Sequence, residues 1–219
     1  CFEPTYTEVK LTQYSLGLIK ELTDLGLPTG WKQVGSLNLA RTFDRMTYYN
    51  RMKSMGVASG FSCKVLTPDQ CKEMCPLLEV GDLQGGFWIP DDGVCNPTLL
   101  CQSFVQEAQR LGVKVVEHCA LKKIRTADGK VCQIDTSSGN IACDFFVNCT
   151  GFWAREVGTL SMPQVKVPLK AVEHHFLHTK PIEGLDPMTP FVRDFEGGIY
   201  FREMDGRILA GKICLILYL

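Results

Sequence analysis

Several absences narrow what this sequence can be. There is no surplus of charge: 23 basic residues stand against 24 acidic ones, a formal net charge of −1. Without a basic excess to neutralise phosphates, no nucleic-acid partner is expected. No run of about 20 apolar residues occurs, so no membrane-spanning helix is expected. Gly-x-Ser-x-Gly is missing, which removes the nucleophile elbow of serine hydrolases. The P-loop pattern is missing too, and so is Gly-x-Gly-x-x-Gly. A dinucleotide fold would have to carry that glycine fingerprint upstream of Cys1. Cys-x-x-Cys does not occur: Cys71 and Cys75 are four apart and Cys95 and Cys101 six apart, neither a spacing for structural zinc. No signal-like segment opens the chain, which begins Cys1-Phe2-Glu3-Pro4. The eleven cysteines are therefore read as reduced, intracellular and small buried hydrophobes, not as a disulfide framework.

What is present is ordinary for a globular chain. Of 219 residues, 45% are hydrophobic and 21% charged, too apolar and too neutral for intrinsic disorder. The length suits one large domain or two small ones and is enough to bury a core without crosslinks. The chain lacks an initiator Met, and its apolar tail Gly211–Leu219 ends without a cap or turn. A fragment cut at both ends is expected.

Periodicity predicts helices over 8–26, 44–55 and 97–111, the last with Leu100, Phe104, Ala108 and Leu111 on one face. Thr67-Pro68-Asp69-Gln70 is a capping box with proline at the first helical position, so a helix starts there and ends before Pro76. Strands are expected at 33–40, 85–89, 113–116, 144–148 and, broken by Pro168, 165–178. Two more flank turns at Asp128-Gly129 and Ser138-Gly139, and a hairpin surrounds Asp205-Gly206. With no repeat, low-complexity run or linker, 1–219 reads as one continuous body. The order mixes helices and parallel-type strands with antiparallel pieces, so the fold class is mixed α/β and α+β.

The segment Asp144 to Glu156 (DFFVNCTGFWARE) carries the most chemistry. A strand running into small residues, a glycine and a helix start is where open α/β sheets bind ligands. Gly151 admits close approach to the backbone, and the following helix N-terminus favours phosphate. A tight structural turn is the alternative. Asn148-Cys149-Thr150 matches a glycosylation pattern, but its expected place at a buried strand end argues against modification. Among the histidines, a pair at i, i+4 on a strand lies about 13 Å apart, too far for one metal. No metal site is expected, and His174 is left as a candidate donor or proton acceptor.

Taken together, Gly35–Ala40, Cys75–Leu78, Ile89–Gly93, Phe146–Ala154, Val167–Leu169 with Glu173 and His174, and Gly198–Arg202 resemble the FAD-dependent amine oxidoreductases of the D-amino-acid-oxidase type. Within them the resemblance is to the dimethylglycine and sarcosine dehydrogenase group, which includes the regulatory subunit of pyruvate dehydrogenase phosphatase. It covers nearly the whole chain, and VNCTGFWA is its most specific stretch. It implies an incomplete FAD-binding Rossmann-like part joined to a mostly antiparallel substrate-domain sheet. The cofactor would be FAD, approached by the Leu121 backbone at the adenine end and by Gly151 and Trp153 near the pyrophosphate and ribose. His174, Tyr200 and Arg202 would lie on the substrate side, Arg202 meeting a substrate carboxylate or forming a structural ion pair. The implied reaction oxidises the C–N bond of a small amino-acid-like amine by hydride transfer to flavin. Implied partners are an electron-transfer flavoprotein or the phosphatase catalytic subunit, in the mitochondrial matrix. Phe176 stands where the resemblance leads to tyrosine, and Lys212 onward departs from the glycine and acidic residue expected after Gly211. A regulatory protein and a non-functional truncated product stand as the alternatives to an enzyme.

Overall fold

The computed structural model describes residues 6–212. The opening Cys1–Pro4 and the part of the apolar tail beyond Lys212 lie outside the described residues. In chain order the elements are α1 (Tyr6–Asp24), β1 (Ser36–Ala40), α2 (Phe43–Ala58), β2 (Lys64–Leu66), α3 (Pro68–Met74), β3 (Gly85–Ile89), α4 (Pro97–Arg110), β4 (Leu121–Ala127), β5 (Lys130–Thr136), β6 (Gly139–Ala142), a 3₁₀ turn Gly151–Trp153, α5 (Ala154–Gly158), β7 (Phe176–His178), β8 (Phe191–Asp194), β9 (Ile199–Met204) and β10 (Arg207–Lys212). The class is mixed α/β. The chain packs as two compact units: the described residues up to Gly112 with those from His174 onward, and the stretch Val113–Glu173 between them. No composition shift marks those crossings in the sequence, which reads there as one body.

In the first unit, local chemistry sets the helix starts. Thr42 caps α2 by accepting from the Arg45 N–H at 3.2 Å. Thr67 and Gln70 close a reciprocal capping box on α3, satisfying two N-terminal donors. Asn96 accepts from the N–H groups of Thr98 and Leu99, with Pro97 at the first turn of α4. The apolar stripe expected on α4 is corrected: Ser103 points inward, while Phe104 and Leu111 are exposed. On α1, Val9 and Leu22 are buried but Leu11 faces out, as does Leu25 just past its end.

The seven strands of this unit run in the order β2-β3-β1-β8-β9-β10-β7. Every pairing is antiparallel except β1 with β8. β1 is buried along its whole length, so its alternate residues enter two cores. Leu37 and Leu39 join Leu66, Cys71, Cys75, Leu78, Leu83 and Val192. Ala40 joins Tyr49, Met52, Cys63, Phe87 and Ile89. The reading of cysteines as small buried hydrophobes holds for Cys63, Cys71 and Cys75; Cys101, Cys132 and Cys149 are exposed.

Burial pushes the Cys71 thiol up to about 11. A group whose folded pKa is raised contributes stability below its unfolded pKa and loses it as pH rises to the folded value. Unfolding free energy is therefore expected to fall by about 2 to 3 kcal/mol between the ordinary thiol range and pH 11 through this group. Denaturant titrations across that window check it, with Cys71→Ala flattening the slope.

In the second unit, β4, β5 and β6 form an antiparallel sheet. Asp128 and Gly129 both take positive φ (51° and 74°), the conformation of a type I′ hairpin. Three expectations are corrected. Neither 113–116 nor 144–148 forms a strand, and Phe145 is 90% and Val147 77% exposed. Of 165–178 only Phe176–His178 is strand. A strand draws its hydrogen bonds from a neighbour, and among the described residues no segment pairs with 113–116 or 144–148. Pairing with β10 begins at Phe176, opposite Gly211.

Candidate functional site

One face of the seven-stranded sheet opens beyond the second core. Period-two alternation puts Phe191 and Arg193 of β8 on the same face, and likewise Tyr200 and Arg202 of β9. The register aligns the two sets, with Arg193 paired to Tyr200. Next along, Tyr200 is paired to Gly211 of β10. A Cβ at Gly211 would collide with the Tyr200 ring, so the missing side chain is what lets that ring lie over β10. Ser36, Asp92, Phe176 and Leu209 complete a recess of about 500 Å³ with these residues.

Of the sequence-derived candidates, Tyr200 and Arg202 line this recess, and His174 is joined to it only through Tyr200. His174 Nε2 and the Tyr200 hydroxyl are 2.9 Å apart in a hydrogen bond whose direction depends on the imidazole tautomer. Arg202 donates from Nη1 to the Cys95 carbonyl at 3.2 Å, and its Nη2 lies 3.7 Å from Met204 Sδ. Among the described residues it makes no ion pair, so the structural pairing weighed for it is not observed. The buried carboxylates nearby are engaged elsewhere. Asp194 takes the Arg41 guanidinium at 2.7 Å, and Glu203 takes Lys32 at 3.4 Å.

Sequence reasoning missed Arg193, Ser36 and Asp92. Phe191-Val192-Arg193-Asp194 does alternate, which was the available signal, but the tract is only four residues long. Arg193 is half-buried; burial lowers its pKa, opposed by the charge of Asp92 and by Tyr200. Its guanidinium carbon stands 4.7 Å from the centre of the Phe191 ring. The Ser36 hydroxyl donates to Asp92 Oδ2. Phe176, at the position where tyrosine was expected, lies edge-on to His178 at 5.8 Å.

Leu121, Gly151 and Trp153 belong to the second unit. Leu121 opens β4, paired with Thr136. Gly151 has φ 59°, and a Cβ added there would meet nothing within 4 Å. Its backbone is therefore approachable from open space. Trp153 is exposed and stacks on Phe152 with centroids 3.7 Å apart. An approachable glycine beside two exposed aromatic rings fits a flat, phosphate-bearing cofactor such as FAD. Asn148 donates to the Ala154 carbonyl at 2.9 Å and accepts from the Thr150 hydroxyl at 2.7 Å. Its side chain is thus committed to shaping this turn. Among the described residues no three His, Cys, Asp or Glu side chains gather as a metal would require.

Comparison with known proteins agrees with this architecture. The mouse mitochondrial sarcosine dehydrogenase is 37% identical over 215 residues, covering 95% of this chain and 23% of that protein. The mouse mitochondrial pyruvate dehydrogenase phosphatase regulatory subunit is 34% identical over 206 residues, covering 93% of this chain and 24% of that protein. The crystal structure of L-proline dehydrogenase from P. horikoshii superposes with a TM-score of 0.83 at 25% identity, covering 91% of this chain and 53% of that one. The chain thus spans about a quarter of the length of the two curated relatives. Residues 2–214 match the DAO family, described as FAD dependent oxidoreductase. The chain belongs to the DAO family of FAD-dependent oxidoreductases.

Proposed function

We propose that the chain forms the substrate-covering part of a dehydrogenase that oxidises the C–N bond of an N-methylglycine. One observation carries this reading: a single recess is lined by Arg202, which has no carboxylate partner among the described residues, and by Tyr200, whose hydroxyl is hydrogen-bonded to His174 behind it. Arg202 holds the substrate carboxylate as a planar fork. Phe176, Phe191 and Leu209 give the recess apolar walls. An amine must be unprotonated before it can lose hydride. His174 accepts that proton by way of the Tyr200 hydroxyl, a distance and direction the pair allows. FAD, when bound, supplies the hydride acceptor. Leu121, Gly151 and Trp153 are the residues of this chain that would hold it. Electrons then pass to an electron-transfer flavoprotein, and the protein works in the mitochondrial matrix.

A second reading makes the chain part of a non-catalytic regulatory subunit that acts on the phosphatase catalytic subunit. The 34% identity to that mouse regulatory subunit, close to the 37% for sarcosine dehydrogenase, supports it. The visible spectrum of the full-length flavoprotein separates the two. Anaerobic addition of sarcosine or dimethylglycine is expected to bleach the flavin band. A band that persists with both amines gives the regulatory reading.

A further inference from the structure

We infer that Cys132 and Cys143 are a redox-active thiol pair, which a small-molecule disulfide such as oxidised glutathione converts into a reversible disulfide that clasps the free edge of the three-stranded sheet. The inference uses none of the recess residues and stands without the function proposed above.

Register brings the two thiols together. β5 and β6 pair from Thr136 opposite Gly139 to Gln133 opposite Ala142. One step further, the same register sets Cys132 opposite Cys143, and the Cys143 N–H donates to the Cys132 carbonyl at 3.2 Å. A hydrogen-bonded antiparallel pair has its Cα atoms about 5.5 Å apart, inside the range of about 4.4 to 6.8 Å that disulfides span. Opposed Cβ atoms stand about 4.5 to 5.5 Å apart and a disulfide needs about 3.5 to 4.5 Å, so closure asks for an approach of about 1 Å. The edge of the sheet can supply it. Among the described residues β6 has β5 as its one neighbour, and β6 is exposed along its length. On β5, the register against β4 shifts between Arg125 and Thr126, which leaves Cys132 without a direct partner there. Its thiol makes only a weak donation to the Arg125 carbonyl at 3.5 Å.

Access separates this pair from the other cysteines. Cys132 is exposed and Cys143 partly so. Cys71 and Cys75 are buried, and burial pushes both thiols up, away from the reactive thiolate. Cys101, on α4, and Cys149, before the Gly151 turn, are exposed, but no strand pairing sets either opposite a second cysteine. The exchange runs in two steps. The Cys132 thiolate attacks one sulfur of oxidised glutathione, whose S–S bond breaks and releases one glutathione thiolate. The Cys143 thiolate then attacks the Cys132 sulfur of the mixed disulfide and expels the second. The protein loses two electrons and two protons, and two molecules of reduced glutathione receive them.

The bond would act on its surroundings. Cys143 is the root of the segment 144–148, which forms no strand and exposes Phe145 and Val147. Tying Cys143 to Cys132 fixes where that segment leaves the sheet. It also closes a loop of roughly 12 residues, which slows opening of the hairpin by about 10- to 100-fold.

The test treats the full-length protein with excess oxidised glutathione, then maps its peptides by mass. The expected product is a Cys132–Cys143 disulfide, about 2 Da lighter than the two thiols and restored by dithiothreitol. Cys143→Ser is expected to stop at glutathione on Cys132. Cys149→Ser is expected to form the disulfide like the wild type. Amide exchange over 139–143 should slow about 10- to 100-fold on oxidation. A wild type that keeps glutathione on Cys132 with Cys143 free, or that leaves both thiols unmodified, overturns the proposal. So does a disulfide that joins either of them to Cys149. A Cys132–Cys143 bond that leaves exchange over 139–143 unchanged overturns the clasp. Should Cys143→Ser fail to fold, the wild-type peptide map alone decides.

Discussion

Arg202→Gln in the full-length flavoprotein is expected to raise the KM for sarcosine about 100-fold, or ~3 kcal/mol, with flavin content unchanged. The size follows from what the substitution leaves behind. Arg202 makes no ion pair among the described residues, and its one backbone contact is with the Cys95 carbonyl at 3.2 Å. Removing it costs the fold one hydrogen bond to an accessible loop. It costs a bound carboxylate its charged fork in an apolar-walled recess, where such pairs are stronger than in water. The effect should fall on KM more than on kcat, because the carboxylate is remote from the bond that breaks. Steady-state kinetics with a flavin absorbance control measure both quantities. A KM within twofold of wild type, together with a lower unfolding temperature, would make Arg202 a structural clasp on the 95–96 loop.

Phe87→Ala is expected to lower the unfolding free energy by about 3 to 5 kcal/mol. Phe87 is 1% exposed and stacks on Tyr49 with centroids 5.4 Å apart. Its neighbours sit on a sheet and a helix that cannot easily collapse into the space it leaves. Asn38 donates to the Phe87 carbonyl, and the Tyr49 hydroxyl donates to the Leu39 carbonyl at 3.0 Å. The ring is therefore held from the strand beside it and the helix above it, and a cavity there stays open. Burial also raises the Tyr49 pKa, as expected of a phenol in a dry site. Urea unfolding followed by tryptophan fluorescence gives the number. A loss below about 1 kcal/mol would mean the second core repacks freely.

The predicted site residues divide by how they were found. Tyr200 and Arg202 came from resemblance to a family, His174 from the histidine pattern as well, and the fold joins His174 to Tyr200 by a hydrogen bond. Arg193 was invisible because its meaning lies in register. Nothing within Phe191–Asp194 tells which strand will lie beside it, and only pairing to β9 sets it opposite Tyr200. Gly211 is similar: its lack of a side chain matters only because Tyr200 crosses above it.

The sequence by itself determined the elements whose hydrogen bonds close locally. The Thr67–Gln70 capping box, the Asn96-Pro97 helix start and the Asp128-Gly129 and Asp205-Gly206 hairpins all stand where their residues call for them. Each is satisfied within a few residues, so local chemistry is enough. Tertiary structure decided the rest. Val113–Val116 and Asp144–Asn148 have strand-like composition, but a strand exists only where another offers its N–H and C=O groups. Which face of α4 turned inward, which cysteines were buried and which arginines met over one recess were likewise fixed by neighbours distant in sequence, because burial and charge convergence are properties of packing and not of order along the chain.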